Sequence, residues 1–298
     1  MLIKRTIENS LPGVQKNISL KNYTTFKIGG NARYFFNSKT KNDLPFFILG
    51  GGSNLLVSDN GFEGLVVKMQ TTNCKLQTNS KKHIMSIYAE AGVTLGQLVN
   101  FTLKNNLTGL EWAVGIPGTL GGAVFGNAGA FGGAIADSVR EVEFFDSKSL
   151  KFFKRKNKKC KFSYRKSIFK GQKNWIIVSA ELGLRFAMKR EIKKKIKGYL
   201  DEKRKKQPMN LPSAGSVFVN PDKFSAGELI EKCGLKGKRK GRVEISEMHA
   251  NFMVNLGGGK ANDVINLINL AKKSVKNKFG INLKEEIQYL GFFPLIHT

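Results

Sequence analysis

Apolar residues in the first ninety positions come in short bursts separated by turn residues. Segments 32–36, 45–49, 65–67 and 84–89 each read as a strand bounded by Gly, Asn, Asp or Ser. The period then lengthens. Leu95, Leu98, Val99 and Leu103 recur at helical spacing behind Thr94, a suitable N-cap, which predicts an amphipathic helix over about 95–105. Segments 139–145 and 151–154 predict a hairpin across Asp146-Ser147-Lys148, and 175–179 and 182–186 predict two more strands. Residues 188–206 carry Ile192, Ile196 and Leu200 at i, i+4 and i+8, so they predict a helix with a solvated lysine face, ended by Gln207-Pro208. Beyond it the pattern predicts a strand at 216–219, a helix near 226–233 and a strand at 250–254. A helix over 262–277 turns Val264, Ile265, Ile268, Ala271 and Val275 inward, with Gly280 past its end, and a last strand spans 285–290.

Two glycine-rich stretches interrupt this pattern. The first is Gly50-Gly51-Gly52-Ser53-Asn54. The second runs from Gly115 through Gly118, Gly121 and Gly122 to Gly126-Asn127-Ala128-Gly129-Ala130-Phe131-Gly132. Glycine lets backbone N–H groups approach a phosphate closely and accepts positive φ. Two such stretches suggest a large diphosphate ligand gripped from two sides. The first does not fit the dinucleotide fingerprint, which leads from a strand into a helix. Here an apolar run leads through Asn54-Leu55-Leu56-Val57 and a turn at 58–61 into another strand-like run, 65–67.

Composition narrows the picture. The chain has 298 residues, 41% of them hydrophobic, enough for two or three domains. No apolar run approaches the roughly 18 residues of a membrane span, and 1–15 lacks a signal-like apolar core, so a cytoplasmic protein is expected. Cys74, Cys160 and Cys233, like His83, His249 and His297, are too scattered to suggest a metal centre or a disulfide framework. The net charge of +28, from 50 Lys and Arg against 22 Asp and Glu, admits a nucleic-acid partner. The excess is mostly lysine spread over 154–161, 189–197 and 203–206, with no aromatic–basic recognition motif. Nonspecific adhesion to polyanions is therefore expected, and specific nucleic-acid binding is not.

Tyr23-Thr24-Thr25-Phe26-Lys27-Ile28-Gly29-Gly30, the two glycine stretches, Tyr164-Arg165-Lys166-Ser167-Ile168-Phe169-Lys170, Pro212-Ser213-Ala214-Gly215-Ser216-Val217-Phe218, Ser246-Glu247-Met248-His249-Ala250-Asn251-Phe252 and Leu283-Lys284-Glu285-Glu286-Ile287 occur in one order. In that conjunction the chain resembles the UDP-N-acetylenolpyruvoylglucosamine reductase family of peptidoglycan precursor synthesis, in its shorter type without a Tyr-bearing insertion. The resemblance implies an α+β protein. Its FAD-binding part, of the vanillyl-alcohol-oxidase (PCMH) type, has two subdomains, 1–67 and 68–207, and an α+β domain for the UDP-sugar follows at 208–298. It also implies non-covalent FAD, NADPH as co-substrate, UDP-N-acetylglucosamine enolpyruvate as substrate, and a monomer that engages neither membrane nor specific nucleic acid. Two departures stand out. Only 37–44 separates the strands at 32–36 and 45–49, where the family usually has a helix, and Ala134 occupies a place where an acidic residue is common.

The same resemblance assigns roles. Hydride addition to an enolpyruvyl ether needs a cation for its carboxylate, a group to stabilise the intermediate and a proton donor. Arg165 fits the first, although by itself it is one of many basic residues in a lysine-rich stretch. Glu286 fits the second, protonated through burial, whereas Glu285 reads as an exposed strand carboxylate. Ser216, aimed by Ala214-Gly215, fits the third; by itself it reads as a turn serine. Gly50, Gly51, Gly52, Ser53, Asn54, Gly115, Gly118, Gly121 and Gly122 would surround the FAD diphosphate, with Asn127 toward the flavin. Asn220 would meet the UDP diphosphate, and His249 reads as structural. Two other readings stay open: another FAD-dependent oxidoreductase of the same superfamily, and a basic nucleic-acid-binding protein.

Overall fold

The computed structural model describes residues 13–36, 45–70, 73–79 and 84–292. The 37–44 connector, His83 and His297 lie outside the described residues. The chain forms two compact units, one of 1–67 with 204–298 and one of 68–203. The first and third of the three expected parts therefore share a unit.

In the first unit, a sheet orders its strands Gln15–Ser19, Asn31–Phe36, Phe62–Lys68 and Phe46–Leu49. Asn31–Phe36 runs antiparallel to the first of these and parallel to Phe62–Lys68. Leu20, Phe35, Leu49, Leu55, Val57 and Val66 fill its core, and Leu290 joins them from the far end of the chain. The reason is a strand pair. Gln288–Leu290 lies parallel to Leu55–Val57, and the Ser58 N–H donates to the Leu290 carbonyl at 2.8 Å. The expected strand at 285–290 is thus shorter, and Glu285 forms only a bridge to Phe218.

The C-terminal part of this unit is a second sheet in the order Ser213–Ser216, Phe252–Asn255, Val243–Ile245 and Arg239–Lys240. The expected strand at 216–219 lies earlier, at Ser213–Ser216, because Gly215 takes φ +76° and breaks the register there. Val243–Ile245 has too few residues to carry a periodic signal, and it was missed. Within this unit, Ala226–Lys232 is a helix, as is Ala261–Phe279, which buries Val264, Leu267, Ile268, Ala271 and Val275 and ends on Gly280 in the left-handed region. Leu267 holds the central inward place, and Ile265 lies at the margin. Asn255 donates to the Phe26 carbonyl at 3.1 Å, and Asp59 accepts from the Ala261 N–H at 2.9 Å. These bonds tie the tyrosine–threonine segment and the first turn to the C-terminal sheet and helix.

The second unit is built on an antiparallel sheet in the order Lys151–Lys156, Val139–Asp146, Trp175–Phe186, Ile84–Glu90 and Cys74–Asn79, with Leu107–Thr108 on the far end of the central strand. The two strands expected at 175–179 and 182–186 are one. Ala180 and Glu181 continue the ladder with Val142 and Glu141 on one side and with Ala89 and Tyr88 on the other. Helix α1, Leu95–Lys104, starts on a reciprocal cap. The Gln97 N–H donates to Thr94 Oγ1 at 3.1 Å, and the Thr94 N–H donates to Gln97 Oε1 at 2.8 Å. Helix α2, Leu120–Gly126, lies inside the second glycine stretch, where a loop was expected. Helix α3, Lys189–Lys206, packs Ile196 and Tyr199 against the unit's core and buries Ile192. Its lysine face is exposed except at Lys203, which is buried and corrects the expectation of a wholly solvated face. Among the described residues, no helix is long and apolar enough to cross a membrane.

Candidate active site

The first glycine loop joins strands Phe46–Leu49 and Leu55–Val57. Gly52 has φ +61°, and a Cβ there would strike the Tyr23 carbonyl oxygen. Only glycine allows this approach, which the Thr25 N–H closes by donating to the Gly52 carbonyl at 3.1 Å. Thr25 Oγ1 is buried beside it without a hydrogen-bond partner. Asn54 turns the other way. Its amide donates to the Glu286 carbonyl at 3.0 Å, and its own carbonyl accepts from the Gln288 N–H at 3.0 Å. Its side-chain amide thus braces the strand pair.

Ser216 and Glu286 are brought together in this unit. The Glu286 N–H donates to the Val217 carbonyl at 2.8 Å, and the Val219 N–H donates to the Lys284 carbonyl at 2.9 Å. Ser216, half-buried, directly precedes the residue whose backbone holds Glu286. Asn251 fixes that segment. It is buried; its Oδ1 accepts from the Phe218 N–H at 2.9 Å, its Nδ2 donates to the Phe218 carbonyl at 2.8 Å, and its carbonyl accepts from the Val217 N–H at 2.8 Å. This role is not legible in the sequence, because a buried amide that bonds both backbone groups of a distant residue has no local signature. His249 Nδ1 accepts from the Asn251 N–H at 3.2 Å, and burial lowers its pKa, which fits the structural reading. Glu285 is not an exposed carboxylate: it pairs with Lys272 at 2.9 Å and is largely covered. Asn220 lies on the same unit's surface, where its Oδ1 accepts from the Ala226 N–H at 3.0 Å and opens the Ala226–Lys232 helix.

Arg165 belongs to the second unit. It sits at the tip of a tight turn closed by reciprocal Ser163 and Lys166 backbone bonds of 3.0 and 3.1 Å, at φ +55°, a conformation that a non-glycine residue holds only when its surroundings impose it. Its guanidinium donates to the Gly129 carbonyl at 3.0 Å and lies 5.1 Å from the Tyr164 ring centre. Two polar side chains impose the turn. Asn127 Nδ2 donates to the Ser163 carbonyl at 2.8 Å, and Ser167 Oγ donates to the Phe125 carbonyl at 2.7 Å. Asn127, in the left-handed region at the end of α2, also accepts from the Ala136 N–H at 3.2 Å. Its amide thus holds the arginine turn.

Gly118, Gly121 and Gly122 lie where the chain enters α2. The Leu120 and Gly121 N–H groups donate to the Val93 and Ala91 carbonyls at 2.8 and 2.9 Å, and a Cβ on Gly121 would come 2.9 Å from Ala91 Cβ. Gly115 and Gly118 take φ of +66° and +151°. At Ala134, the backbone N–H donates to Asp137 Oδ2 at 2.7 Å, so a carboxylate three residues on serves this turn. The unpartnered Thr25 hydroxyl, buried beside the glycine loop of the first unit, fits a ligand rich in phosphate and hydroxyl oxygens.

Comparison with known proteins finds relatives over nearly the whole chain. The FAD binding domain family matches residues 36–149, and the UDP-N-acetylenolpyruvoylglucosamine reductase C-terminal domain matches 207–290. The UDP-N-acetylenolpyruvoylglucosamine reductase of Caldanaerobacter subterraneus subsp. tengcongensis is 42% identical over 92% of this chain and 93% of its own. That of Clostridium novyi is 39% identical over 93% and 92%. The crystal structure of the reductase from Thermus caldophilus aligns with a TM-score of 0.78 at 35% identity, covering 93% of this chain and 98% of that one.

Proposed function

We propose that this chain, which belongs to the UDP-N-acetylenolpyruvoylglucosamine reductase family, reduces UDP-N-acetylglucosamine enolpyruvate to UDP-N-acetylmuramate with NADPH as the reductant. FAD, the cofactor of its FAD-binding domain, supplies the hydride when bound. The glycine stretches, with Ser53 in the first, hold its diphosphate.

The rest of the chemistry falls to side chains. Arg165 grips the enolpyruvyl carboxylate, for which a planar fork of donors on a permanently charged group is suited. Hydride reaching the outer carbon leaves charge on the inner carbon, spread into that carboxylate. Glu286, as a neutral acid, donates a hydrogen bond to it. The Ser216 O–H bond breaks as its proton joins the inner carbon, and solvent returns a proton to the serine oxygen. Asn220 brings its amide NH2 to the UDP diphosphate.

One observation carries this reading. Ser216 and Glu286 are far apart in sequence, yet backbone bonds set them side by side, and Asn54 joins them to the first glycine loop. The test is an anaerobic visible spectrum. A flavin band that bleaches with NADPH and returns on adding UDP-N-acetylglucosamine enolpyruvate is expected. A band that bleaches and does not return with this substrate would favour another oxidoreductase chemistry. Protein that stays colourless with FAD would remove the cofactor assignment and favour a polyanion-binding role.

A further inference from the structure

The second glycine stretch is gripped at both ends by one helix. Tyr199 and Lys203 stand four residues apart on α3, so they share a face. Lys203 Nζ donates to the Val114 carbonyl at 2.7 Å, and Val114 is the residue before Gly115. Tyr199 stacks on Phe131 with ring centres 4.5 Å apart. Phe131 is near the other end of the stretch, at φ +53° in the turn between Gly129–Ala130 and Gly133–Ala134. The Lys203 ammonium also lies 5.8 Å from the Phe131 ring centre, so the two grips touch.

Lys203 is the only Lys or Arg that is buried among the described residues, at 3% exposure in a chain whose other lysines lie largely at the surface. Burying an ammonium is unfavourable, and packing alone would be better served by an apolar side chain. The backbone it holds is the entrance to the glycine stretch, whose positive-φ residues have little stiffness of their own.

We infer that Lys203, with Tyr199, is a positioning clamp that fixes the 115–132 stretch in its cofactor-binding shape, acting on FAD through the Val114 carbonyl rather than by contact. This rests on the FAD-binding assignment. The clamp separates cofactor affinity from stability. Replacing Lys203 by Met removes an unfavourable buried charge and also leaves the Val114 carbonyl without its donor. These effects oppose one another in the stability of the apoprotein, but only the second bears on the shape of the stretch.

The experiment compares wild type, Lys203→Met and Lys203→Arg by fluorescence titration with FAD and by thermal unfolding of each apoprotein at pH 7. Lys203→Met is expected to weaken FAD roughly tenfold or more while its apoprotein Tm stays within about 4 °C of wild type. Lys203→Arg, which keeps a charged donor, is expected to recover most of the affinity. Unchanged FAD affinity in Lys203→Met would overturn the clamp. So would a fall in apoprotein Tm that accompanies the loss of affinity, or an arginine variant no better than methionine. Failure of the wild type to bind FAD would instead overturn the cofactor assignment.

Discussion

The two glycine stretches look alike in sequence and are held differently. The 50–54 loop is fixed by backbone: Gly52 lies against the Tyr23 carbonyl, Thr25 closes the contact, and the strands on either side belong to sheets of the same unit. The 115–132 stretch contains a helix whose start is set by backbone bonds to Val93 and Ala91, and side chains add grips at intervals, with Lys203 before it, Asn127 and Ser167 at the end of α2, and Tyr199 against Phe131. A loop held by backbone has no tolerance for a side chain. One gripped by side chains as well depends also on the residues that hold it. The first loop is also bonded through Asn54 to Glu286, beside Ser216, whereas the second carries Arg165 on the Gly129 carbonyl.

The largest expected effect tests the division of chemistry between the two regions. Ser216→Ala should leave flavin reduction by NADPH unaltered and slow reoxidation by substrate by about 10²–10⁴-fold, read by anaerobic stopped flow. Equal slowing of both half-reactions would show that the serine region also serves the cofactor. Next is Gly52→Ala. Positive φ and the Tyr23 carbonyl together should cost about 2–4 kcal/mol of apoprotein stability in urea unfolding, with FAD binding lost in parallel. A variant as stable as wild type would mean that the loop yields easily.

The pH dependence of stability probes the second stretch. Burial pushes the Lys203 ammonium down to about 8, from an ordinary value of 10.5. A depressed lysine disfavours the folded state fully below pH 8. The penalty shrinks as pH rises from 8 to 10.5 and is absent above. The stability of wild type minus that of Lys203→Met should therefore climb by on the order of 2 kcal/mol across that window. A flat difference would mean that the ammonium stays solvated. The smallest effect is Gly121→Ala. Its Cβ would meet Ala91 Cβ at 2.9 Å and the Ala91 carbonyl oxygen at 3.2 Å, neither of which can swing aside, so backbone must move; set against the helix preference of alanine, a net cost of about 1–2 kcal/mol is expected. Set beside Gly52→Ala, it asks whether glycine is needed for conformation in one stretch and merely for clearance in the other.

Helices with a strong apolar period were legible in sequence. The cap at Thr94 and the ends near Asn105 and Gly280 come from local rules, because capping bonds reach only three or four residues. The α2 helix was not legible: Leu120-Gly121-Gly122-Ala123-Val124-Phe125-Gly126 has poor helix propensity, and its place is set by bonds to Ala91 and Val93. Ala180 and Glu181, read as a break between two strands, are strand because both neighbouring strands pair with them. At the candidate site, the proposed roles of Arg165, Ser216 and Glu286 rest on their motifs. That Asn54 and Asn127 serve the backbone could not be read, since an amide looks the same whether it faces a ligand or a carbonyl 232 residues away.

The sequence by itself determined which segments are helical or extended wherever the apolar period was long. It determined where glycine permits close approach, and through its ordered motifs it determined the family. These are local properties, set by side-chain spacing and backbone freedom. Only the tertiary structure decided that the last described strand completes the core around the first glycine loop, that a backbone bond seats Glu286 beside Ser216, and that one lysine of a basic helix turns inward to hold a carbonyl. Each of these is a hydrogen bond between residues distant in sequence. Its partner is chosen by which buried polar groups would otherwise be left unsatisfied, a condition that exists only once the chain has folded.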